Sequence, residues 1–302
     1  LMTVRIAQEI GMDVVARYAE RFGVYDRMNP FLANALGAEE TTLWKMVAAY
    51  AMFANGGERV EPTIVDRVQD RWGRTIYRHD QRICDDCQTA SLAPGAIPRI
   101  STARERVMDP VTAYQLTSMM EGVVQRGTAR SIRLPVPVAG KTGTTNDNKD
   151  VWFVGYTSKI AAGCYIGYDQ PRTLPGASGG GTCGPVFAAF MEAAIRVYGG
   201  GRFRVPPGGY FLKIDRFSGA RLPDNAVGDN VVAEYFREGE EPVFGFAGLV
   251  DGGFAMGSNL PLFGRGEANP LDQGETVTTS TGRTTIVPRR ADFGTVSSGG
   301  LY

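Results

Sequence analysis

Histidine is almost missing from this sequence of 302 residues, which contains only His79, and cysteine is scarce, with four residues. A structural zinc site needs about four Cys or His ligands arranged in close pairs. Only Cys84 and Cys87 form such a pair, and the sequence has no second pair to complete a site. We therefore expect no bound metal, and nothing in the composition indicates a cofactor.

The C-x-x-C pair of Cys84 and Cys87 has two other interpretations. A redox-active pair opens a helix after a strand, whereas this pair follows residues 72–83, whose pattern is that of a hairpin. A short structural disulfide is therefore favoured, which would indicate an oxidising compartment. Two idle thiols are the alternative. Cys164 and Cys183 stand alone in the sequence, and their state is left open.

An excess of charge and long apolar runs are also absent. Lys and Arg total 32 residues, and so do Asp and Glu. No positive surface is therefore indicated that would bind nucleic acid or an anionic membrane. No apolar run approaches the roughly 20 residues that cross a bilayer. The composition is otherwise that of an ordinary globular protein.

Amphipathic spacing predicts five helices. The segments are residues 1–10, 13–23, 41–57, 110–126 and 185–198. Asp13 is the predicted N-cap of the second helix, and Gly23 follows its last turn. Asp109 caps the fourth helix, with Pro110 at its first position. The predicted core positions of that fourth helix are Leu116, Met119, Met120, Val123 and Val124.

Alternating or short apolar runs predict strands. The segments are residues 136–145, 151–157, 159–169, 210–222 and 231–242, and residues 62–80 alternate around Trp72-Gly73 as in a β-hairpin. The first three strands are joined by short loops, so they should be antiparallel neighbours. Trp152 and Phe153 are expected to lie in the core of the second of them.

The stretch "AGKTGTT", residues 139–145, has two chemical interpretations. A phosphate-binding loop requires a glycine five residues before Gly140, and Pro135 occupies that position. Proline cannot adopt the positive φ of that turn and offers no N–H to a phosphate. The residues after Lys141 form a turn rather than a helix. The nucleotide interpretation therefore fails.

As a strand, the same stretch places Lys141 and Gly143 on one face and Thr142 and Thr144 on the other. A cation, two hydroxyls and backbone N–H groups suit a substrate with a carboxylate and a carbonyl that becomes an oxyanion. A glycine lets the ligand approach an edge strand closely, and Pro137 is tolerated there. The alternative is a plain hairpin with a surface lysine.

The flanking residues decide between these alternatives. "AGKTGTTND", "DVWFVGYT", "IGYD", "GASGGG" and "PVFAAFM" follow one another in an order that resembles the end of the transpeptidase domain of class A penicillin-binding proteins. "LWKMVAAYAMFANGG", "EPTIVDRVQDRWGRTIY" and "MDPVTAYQLTSMMEGVVQRGTA" resemble earlier parts of that domain. The piece from Phe203 to Pro242 is similar to the C-terminal extension of 1A-type members. The resemblance covers residues 1–242.

The resemblance implies an α/β fold of the mixed α+β kind. This is the penicillin-binding and β-lactamase-like transpeptidase fold, with an antiparallel sheet flanked by helices, here truncated at the N-terminus. Residues 1–198 would be a partial transpeptidase domain and residues 199–244 a small C-terminal extension. Residues 245–302 are rich in Gly, Ser and Thr without a period, and we expect a disordered tail.

The resemblance also implies the reaction. The family cross-links peptidoglycan by D-Ala–D-Ala transpeptidation through a serine acyl-enzyme, and β-lactams occupy the same site. Lys141 would keep the site positive, and the hydroxyls of Thr142 and Thr144 would bind the terminal carboxylate. Gly143 would keep this side of the active site free of a side chain. The Thr144 backbone N–H would form half of the oxyanion hole.

The sequence departs from the family in one respect. None of its serines begins an S-x-x-K or an S-x-N motif, and the near matches at Ser101, Ser218 and Ser280 end in arginine. His79 lies among charged hairpin residues and cannot replace the missing base. We expect the parent protein to carry Ser-x-Asn immediately before Leu1. S-x-x-K, a glycosyltransferase domain and a membrane anchor should lie further upstream in the sequence. The parent protein should act at the periplasmic face of the bacterial inner membrane.

Two other functions stay open at this point. A carboxypeptidase or β-lactamase-like hydrolase shares the K-T-G strand and differs in using water as the acceptor. A non-catalytic module could instead bind a cell-wall synthesis partner through residues 203–242. The Thr145-Asn146-Asp147 continuation and the C-terminal extension favour the synthase.

Overall fold

The computed structural model describes residues 2–80, 82–84, 87, 97–101 and 104–242. Beyond these it describes the backbone of four short strands, which form two antiparallel pairs. Their bounds are Leu249–Val250, Phe254–Ala255, Gly274–Thr278 and Thr284–Pro288. The rest of the predicted disordered tail lies outside the described residues. No helix in the described part of the chain has the length and apolarity to cross a membrane.

Three α-helices precede the first strand: α1 (Met2–Ile10), α2 (Met12–Arg21) and α3 (Leu43–Ala54), with a 3-10 helix at Leu32–Leu36 before α3. The predicted cap of α2 is wrong, because Gly11 is the N-cap and Asp13 lies in the first turn of the helix. An acidic side chain in the first turn still stabilises the helix, because it interacts favourably with the positive end of the helix dipole. Gly23 follows α2 with φ of 67°, as a helix-ending glycine does.

A β-hairpin follows α3 with its turn at the predicted place. Strands β1 (Arg67–Gln69) and β2 (Thr75–Arg78) pair antiparallel, and all of their residues are exposed. The Asp70 carboxylate closes the turn by accepting the backbone N–H groups of Trp72 and Arg74. His79 lies beside this hairpin, with its Nε2 3.1 Å from the Glu61 carbonyl oxygen. The short strands β3 (Ile83–Cys84) and β4 (Ile100–Ser101) form a second pair.

The central sheet has three antiparallel strands in the order β5-β6-β7, as predicted. They are β5 (Ala139–Thr144), β6 (Val151–Tyr156) and β7 (Ala161–Ile166). Phe153 of β6 is fully buried and packs edge-on against Phe187, with ring centroids 4.7 Å apart. Trp152 is half-buried and lies against Tyr165. Successive β6 side chains therefore reach opposite faces of the sheet.

Helices cover both faces of this sheet. Helix α5 (Gly184–Tyr198) packs on the Phe153 face, and helix α4 (Pro110–Gln125) packs with α3 on the Tyr156 face. The Asp109 carboxylate accepts the Val111 and Thr112 N–H groups, which confirms the predicted cap of α4. Met119 is the exception among the predicted core residues of α4, because its side chain is 63% exposed. The buried residues of α4 are Val111, Ala113, Thr117, Met120, Gly122 and Val124.

The C-terminal extension is a hairpin of β8 (Gly209–Asp215) and β9 (Val231–Arg237) that packs on α4. Gln115 donates to the Tyr235 carbonyl oxygen at 2.9 Å, and Ser118 donates to Glu234 at 2.7 Å. The Tyr114 ring lies edge-on to Tyr235, with centroids 5.3 Å apart. The hairpin is therefore joined to α4 by polar and aromatic contacts.

Both cysteine pairs are disulfides. The predicted Cys84–Cys87 bridge is confirmed. Cys164 and Cys183 also form a bridge, which joins β7 to the residue just before α5. The sequence alone does not reveal this second bridge, because a separation of 19 residues carries no pairing signal.

Candidate active site

The K-T-G stretch lies in β5, whose register on β6 fixes the direction of each side chain. Thr142 pairs with Phe153, and Lys141 pairs with Val154. Directly opposite residues share a face of the sheet. Thr142 and Thr144 therefore lie on the α5 side, whereas Lys141 and Gly143 lie on the side of α3 and α4. This confirms the predicted alternation. The strand continues from Lys141 to Thr144 and is followed by a 3-10 turn at Asn146–Asn148 instead of an α-helix, which agrees with the rejection of a phosphate loop.

A cavity of about 600 Å³ opens beside the two threonines. Three segments form it: β5, the loop after α4 and the π-helical turn Gly179–Cys183 that precedes α5. Its lining residues are Gly127, Thr128, Arg130, Ser131, Thr142, Thr144, Ser178, Gly179, Gly180 and Gly181. Hydroxyls, backbone groups and one guanidinium thus surround a space that suits an anionic ligand.

Each threonine hydroxyl has a partner from a different segment. Thr144 Oγ1 accepts the Gly179 N–H at 3.0 Å. Thr142 Oγ1 lies 2.7 Å from Thr128 Oγ1. A hydroxyl has one proton and two lone pairs, so accepting a bond leaves its proton to donate. Thr144 can therefore donate to a ligand carboxylate, and Thr142 can do so when Thr128 is the donor of their pair.

Lys141 is exposed on the other face of β5 and is absent from the cavity lining. Its Nζ donates to the Thr142 carbonyl oxygen at 2.8 Å. Gly143 is on the same face, where a Cβ would lie 3.1 Å from the Trp152 Cβ. The structure thus brings Thr142 and Thr144 together in the cavity and places Lys141 and Gly143 behind them.

The backbone of β5 presents N–H groups in two directions. Thr145 N donates to the Asp150 carbonyl oxygen at 3.0 Å, so this N–H faces β6. Successive N–H groups of a strand point to opposite edges. The Thr144 N–H therefore points away from β6. On that edge of β5 no other strand of the described residues is paired.

The turn from β5 to β6 is held by local contacts. Asp150 N donates to Thr145 Oγ1 at 2.8 Å, and Tyr165 donates to Asp150 Oδ1 at 2.8 Å. The hydrogen bond to the Asp150 carboxylate raises the pKa of Tyr165, and burial raises it further. Asp147 and Asn148 both have left-handed φ, of 59° and 52°. Asp and Asn tolerate that conformation better than other side chains.

The π-helical turn approaches β5 closely because it is built of glycine. A Cβ on Gly179 would lie 2.3 Å from the Trp152 carbonyl oxygen, and one on Gly180 would lie 2.0 Å from the Thr128 carbonyl oxygen. Real side chains do not reach such distances. The glycines of "GASGGG" therefore allow the turn to form one wall of the cavity.

Sequence reasoning missed the part of the cavity that comes from the loop after α4. Thr128, Arg130 and Ser131 line the cavity, and Ser131 donates to the Gly180 carbonyl oxygen at 3.3 Å. The signal was the segment "RGTA", which carried the family resemblance and received no role. Polar residues after a long helix are usually solvated, so residue type alone gave no reason to select them.

Of the near-match serines that the structure describes, neither lines this cavity. Ser101 is exposed in β4, and Ser218 donates to Asp215 in a hairpin turn. Ser280 lies outside the described residues. Ser131 and Ser178 do line the cavity, but their hydroxyls bond to the backbone of the π-helical turn. Neither is followed three residues later by lysine.

Comparisons with known proteins agree with this geometry. A family profile described as "Penicillin binding protein transpeptidase domain" matches residues 1–192. Penicillin-binding protein 1A of Rickettsia bellii is 40% identical over 231 residues, which are 75% of this chain and 29% of that protein. Penicillin-binding protein 1A of Neisseria gonorrhoeae is 37% identical over 212 residues, which are 69% of this chain and 25% of that protein.

A solved structure has the same fold. The crystal structure of penicillin-binding protein 1A from Haemophilus influenzae superposes with a TM-score of 0.64 at 28% sequence identity. The superposition covers 80% of this chain and 38% of that one. The chain thus spans less than a third of the length of the curated relatives named above.

Proposed function

The chain belongs to the penicillin-binding protein transpeptidase family, and we propose that it forms the substrate-binding wall of a D-Ala–D-Ala transpeptidase. One observation carries the proposal. Thr142 and Thr144 present donor hydroxyls in a cavity on the edge strand of the sheet, and the Thr144 N–H points to its open edge. The substrates would be peptidoglycan stem peptides, with β-lactams as inhibitors.

Carboxylate binding would fall to the two threonines. The terminal carboxylate of a stem peptide, or that of a penicillin, accepts hydrogen bonds and donates none. The Thr142 and Thr144 hydroxyls can donate to it, and the Arg130 guanidinium in the cavity lining favours a negative group. Their common face on β5 gives them the spacing of alternate strand residues, which suits the two oxygens of one carboxylate.

The reacting carbonyl would lie at the edge of β5. The Thr144 N–H would donate to the oxygen of the tetrahedral intermediate, and one such donor is typically worth about 3 kcal/mol of transition-state stabilisation. Gly143 would keep this edge clear of a side chain. Lys141 would hold the site positive from the other face and bond to a serine of an S-x-N motif.

The nucleophile would be a serine outside this chain, because no S-x-x-K motif occurs in its 302 residues. That serine would attack the carbonyl carbon of the D-Ala–D-Ala bond, form an ester and release D-Ala. An amine of a neighbouring stem would then attack the ester and release the serine. In this proposal the complete protein also carries a glycosyltransferase domain and a membrane anchor, and it works at the periplasmic face of the inner membrane.

Labelling with a fluorescent penicillin tests the proposal. The complete reading frame should give a labelled band on a denaturing gel, whereas the chain of residues 1–302 should give none. In the complete protein, Thr144→Val should slow labelling by about tenfold or more, since it removes one charge-assisted hydrogen bond to the carboxylate.

Lys141→Ala in the complete protein should abolish labelling, and the matched control is Lys159→Ala, an exposed lysine just before β7. Unchanged labelling of both Lys141→Ala and Thr144→Val would overturn the proposal. A labelled band from residues 1–302 alone would refute the assignment of the nucleophile to another segment. Release of free acid instead of cross-linked product from stem peptides would identify a hydrolase.

A further inference from the structure

We infer that Thr128 is a positioning residue for carboxylate recognition, acting through the hydroxyl of Thr142; this inference rests on the proposed function. Thr128 lies in the loop after α4, and its Oγ1 is 2.7 Å from Thr142 Oγ1. Both side chains line the cavity. Thr128 comes 14 residues before Thr142 in the chain and belongs to a different element.

The loop that carries Thr128 is anchored by the residues that follow it and by the π-helical turn. Ala129 is fully buried, and its N–H donates to the Val123 carbonyl oxygen at 3.1 Å. Ile132 is 3% exposed, and its N–H donates to the Ala129 carbonyl oxygen. Gly180 packs against the Thr128 backbone so closely that a Cβ there would lie 2.0 Å from the Thr128 carbonyl oxygen. The Thr128 side chain is thus presented from a fixed backbone.

The protons of the hydroxyl pair explain what Thr128 does. Either hydroxyl can be the donor when the cavity holds no ligand. A carboxylate has no proton to give, so it needs Thr142 to donate. Thr142 can do so while keeping its bond to Thr128 only if Thr128 is the donor of the pair. Thr128 therefore lets Thr142 direct its proton to the ligand without losing the hydrogen bond between the two hydroxyls.

Thr144 shows the same arrangement with a different donor. Its Oγ1 accepts the Gly179 N–H at 3.0 Å, which leaves its proton for the ligand. Each of the two threonines thus accepts one hydrogen bond from a group of the protein: Thr144 from the Gly179 amide, and Thr142, in this inference, from the Thr128 hydroxyl. The side chain is the one of the two donors that a substitution can remove without altering the backbone.

The test compares Thr128→Val with Thr128→Ser in the complete protein. Second-order acylation constants are measured with benzylpenicillin and with its methyl ester, which lacks the carboxylate. We expect Thr128→Val to slow acylation by benzylpenicillin about fivefold, the worth of one hydrogen bond, and to leave the ester unaffected. Thr128→Ser should restore the rate with benzylpenicillin, because it restores the hydroxyl. Thr63→Val is the control, since Thr63 bonds to the Val65 carbonyl oxygen far along the chain from the cavity segments.

A double variant separates this inference from the proposed function. In a Thr142→Val background, adding Thr128→Val should cause no further loss, because the two hydroxyls act as one unit. Equal losses with acid and ester, or additive losses in the double variant, would overturn the inference. The same holds if Thr128→Val acylates at the normal rate while Thr142→Val is impaired. If Thr142→Val and Thr144→Val are both normal, the proposed function fails instead. Thr128→Ala is the replacement if the valine variant does not fold, and the same outcomes apply to it.

Discussion

Glu121 of α4 is a single residue whose surroundings oppose its charge. Burial, and then the negative charge of Glu234 on β9, raise the pKa of the Glu121 carboxyl, while Arg126 acts in the other direction. Glu234 itself accepts a hydrogen bond from Ser118 at 2.7 Å and lies 3.8 Å from Arg126. The hydrogen bond from Ser118 and the ion pair with Arg126 therefore stabilise the charge of Glu234 more than that of Glu121.

Glu121→Gln should stabilise the protein at neutral pH. A raised folded-state pKa contributes stability that is complete below the ordinary value of 4.5 and is lost as the pH rises through the folded-state pKa. At pH 7 we expect the free energy of unfolding of Glu121→Gln to exceed that of the parent, because the glutamine carries no charge to bury. At pH 4 the difference should vanish. Urea unfolding at both pH values measures it.

The control for that measurement is Glu192→Gln, because Glu192 is an exposed residue of α5 that is paired with Arg196. Removing an exposed ion pair changes stability by less than about 1 kcal/mol. A Glu121→Gln protein that is less stable than the parent at pH 7 would show that the carboxylate is satisfied in the fold.

At the scale of elements, the π-helical turn before α5 joins three parts of the molecule. Its glycines touch β5 and the loop after α4, and its last residue, Cys183, is bridged to Cys164 of β7. Cys183 is fully buried, in the same core cluster as Phe153 and Phe187. One wall of the cavity is therefore attached covalently to the central sheet.

Removing the Cys164–Cys183 bridge should destabilise the protein more than removing Cys84–Cys87. In the chain-entropy account, a bridge across 19 residues lowers the entropy of the unfolded chain and so stabilises the folded state by about 3 kcal/mol. A bridge across 3 residues stabilises it less. We expect Cys164→Ala/Cys183→Ala to lower the free energy of unfolding by about that amount. Cys84→Ala/Cys87→Ala is the matched control, in an exposed segment. Equal losses in the two double variants would show that the bridge to the turn carries no special role.

At the scale of the whole molecule, the C-terminal hairpin is part of the packed structure. Tyr235 is buried, and its hydroxyl donates to the Pro206 carbonyl oxygen at 2.6 Å. Phe203, just after α5, packs on Tyr156 with ring centroids 5.6 Å apart. The residues that follow α5 thus cover α4 and the end of β6. The division of the chain near residue 198 stays a prediction.

Two truncations test this arrangement. A chain that ends at Tyr198 should melt about 10 °C below the 302-residue chain, because losing the Phe203 and Tyr235 contacts costs about 3 kcal/mol or more. A chain that ends at Pro242 should melt at the same temperature as the 302-residue chain. Thermal unfolding followed by circular dichroism measures both. A chain ending at Tyr198 that melts normally would show that the hairpin is an independent appendage.

Much of the local structure could be predicted from the sequence. Asp109 with Pro110 predicts the start of α4, Trp72-Gly73 predicts a hairpin turn, and the period of residues 136–169 predicts three antiparallel strands. The order of motifs around Lys141 also indicated the family. These features depend on residues close together in the chain, whose dihedral preferences and hydrogen bonds act locally. The Asp13 cap was wrong because the N-cap lies two residues earlier, at Gly11, a glycine with positive φ.

The cavity was decided by tertiary packing. Thr128, Thr142 and Gly180 are far apart in the sequence and meet because α4, β5 and the turn before α5 pack on one sheet. The same packing exposes Met119 and pairs Cys164 with Cys183. Sequence spacing states which face of an element a side chain occupies, but not which other element covers that face. The sequence by itself therefore determined the strand, the alternation of its threonines and the family, and the fold determined which groups stand behind those threonines.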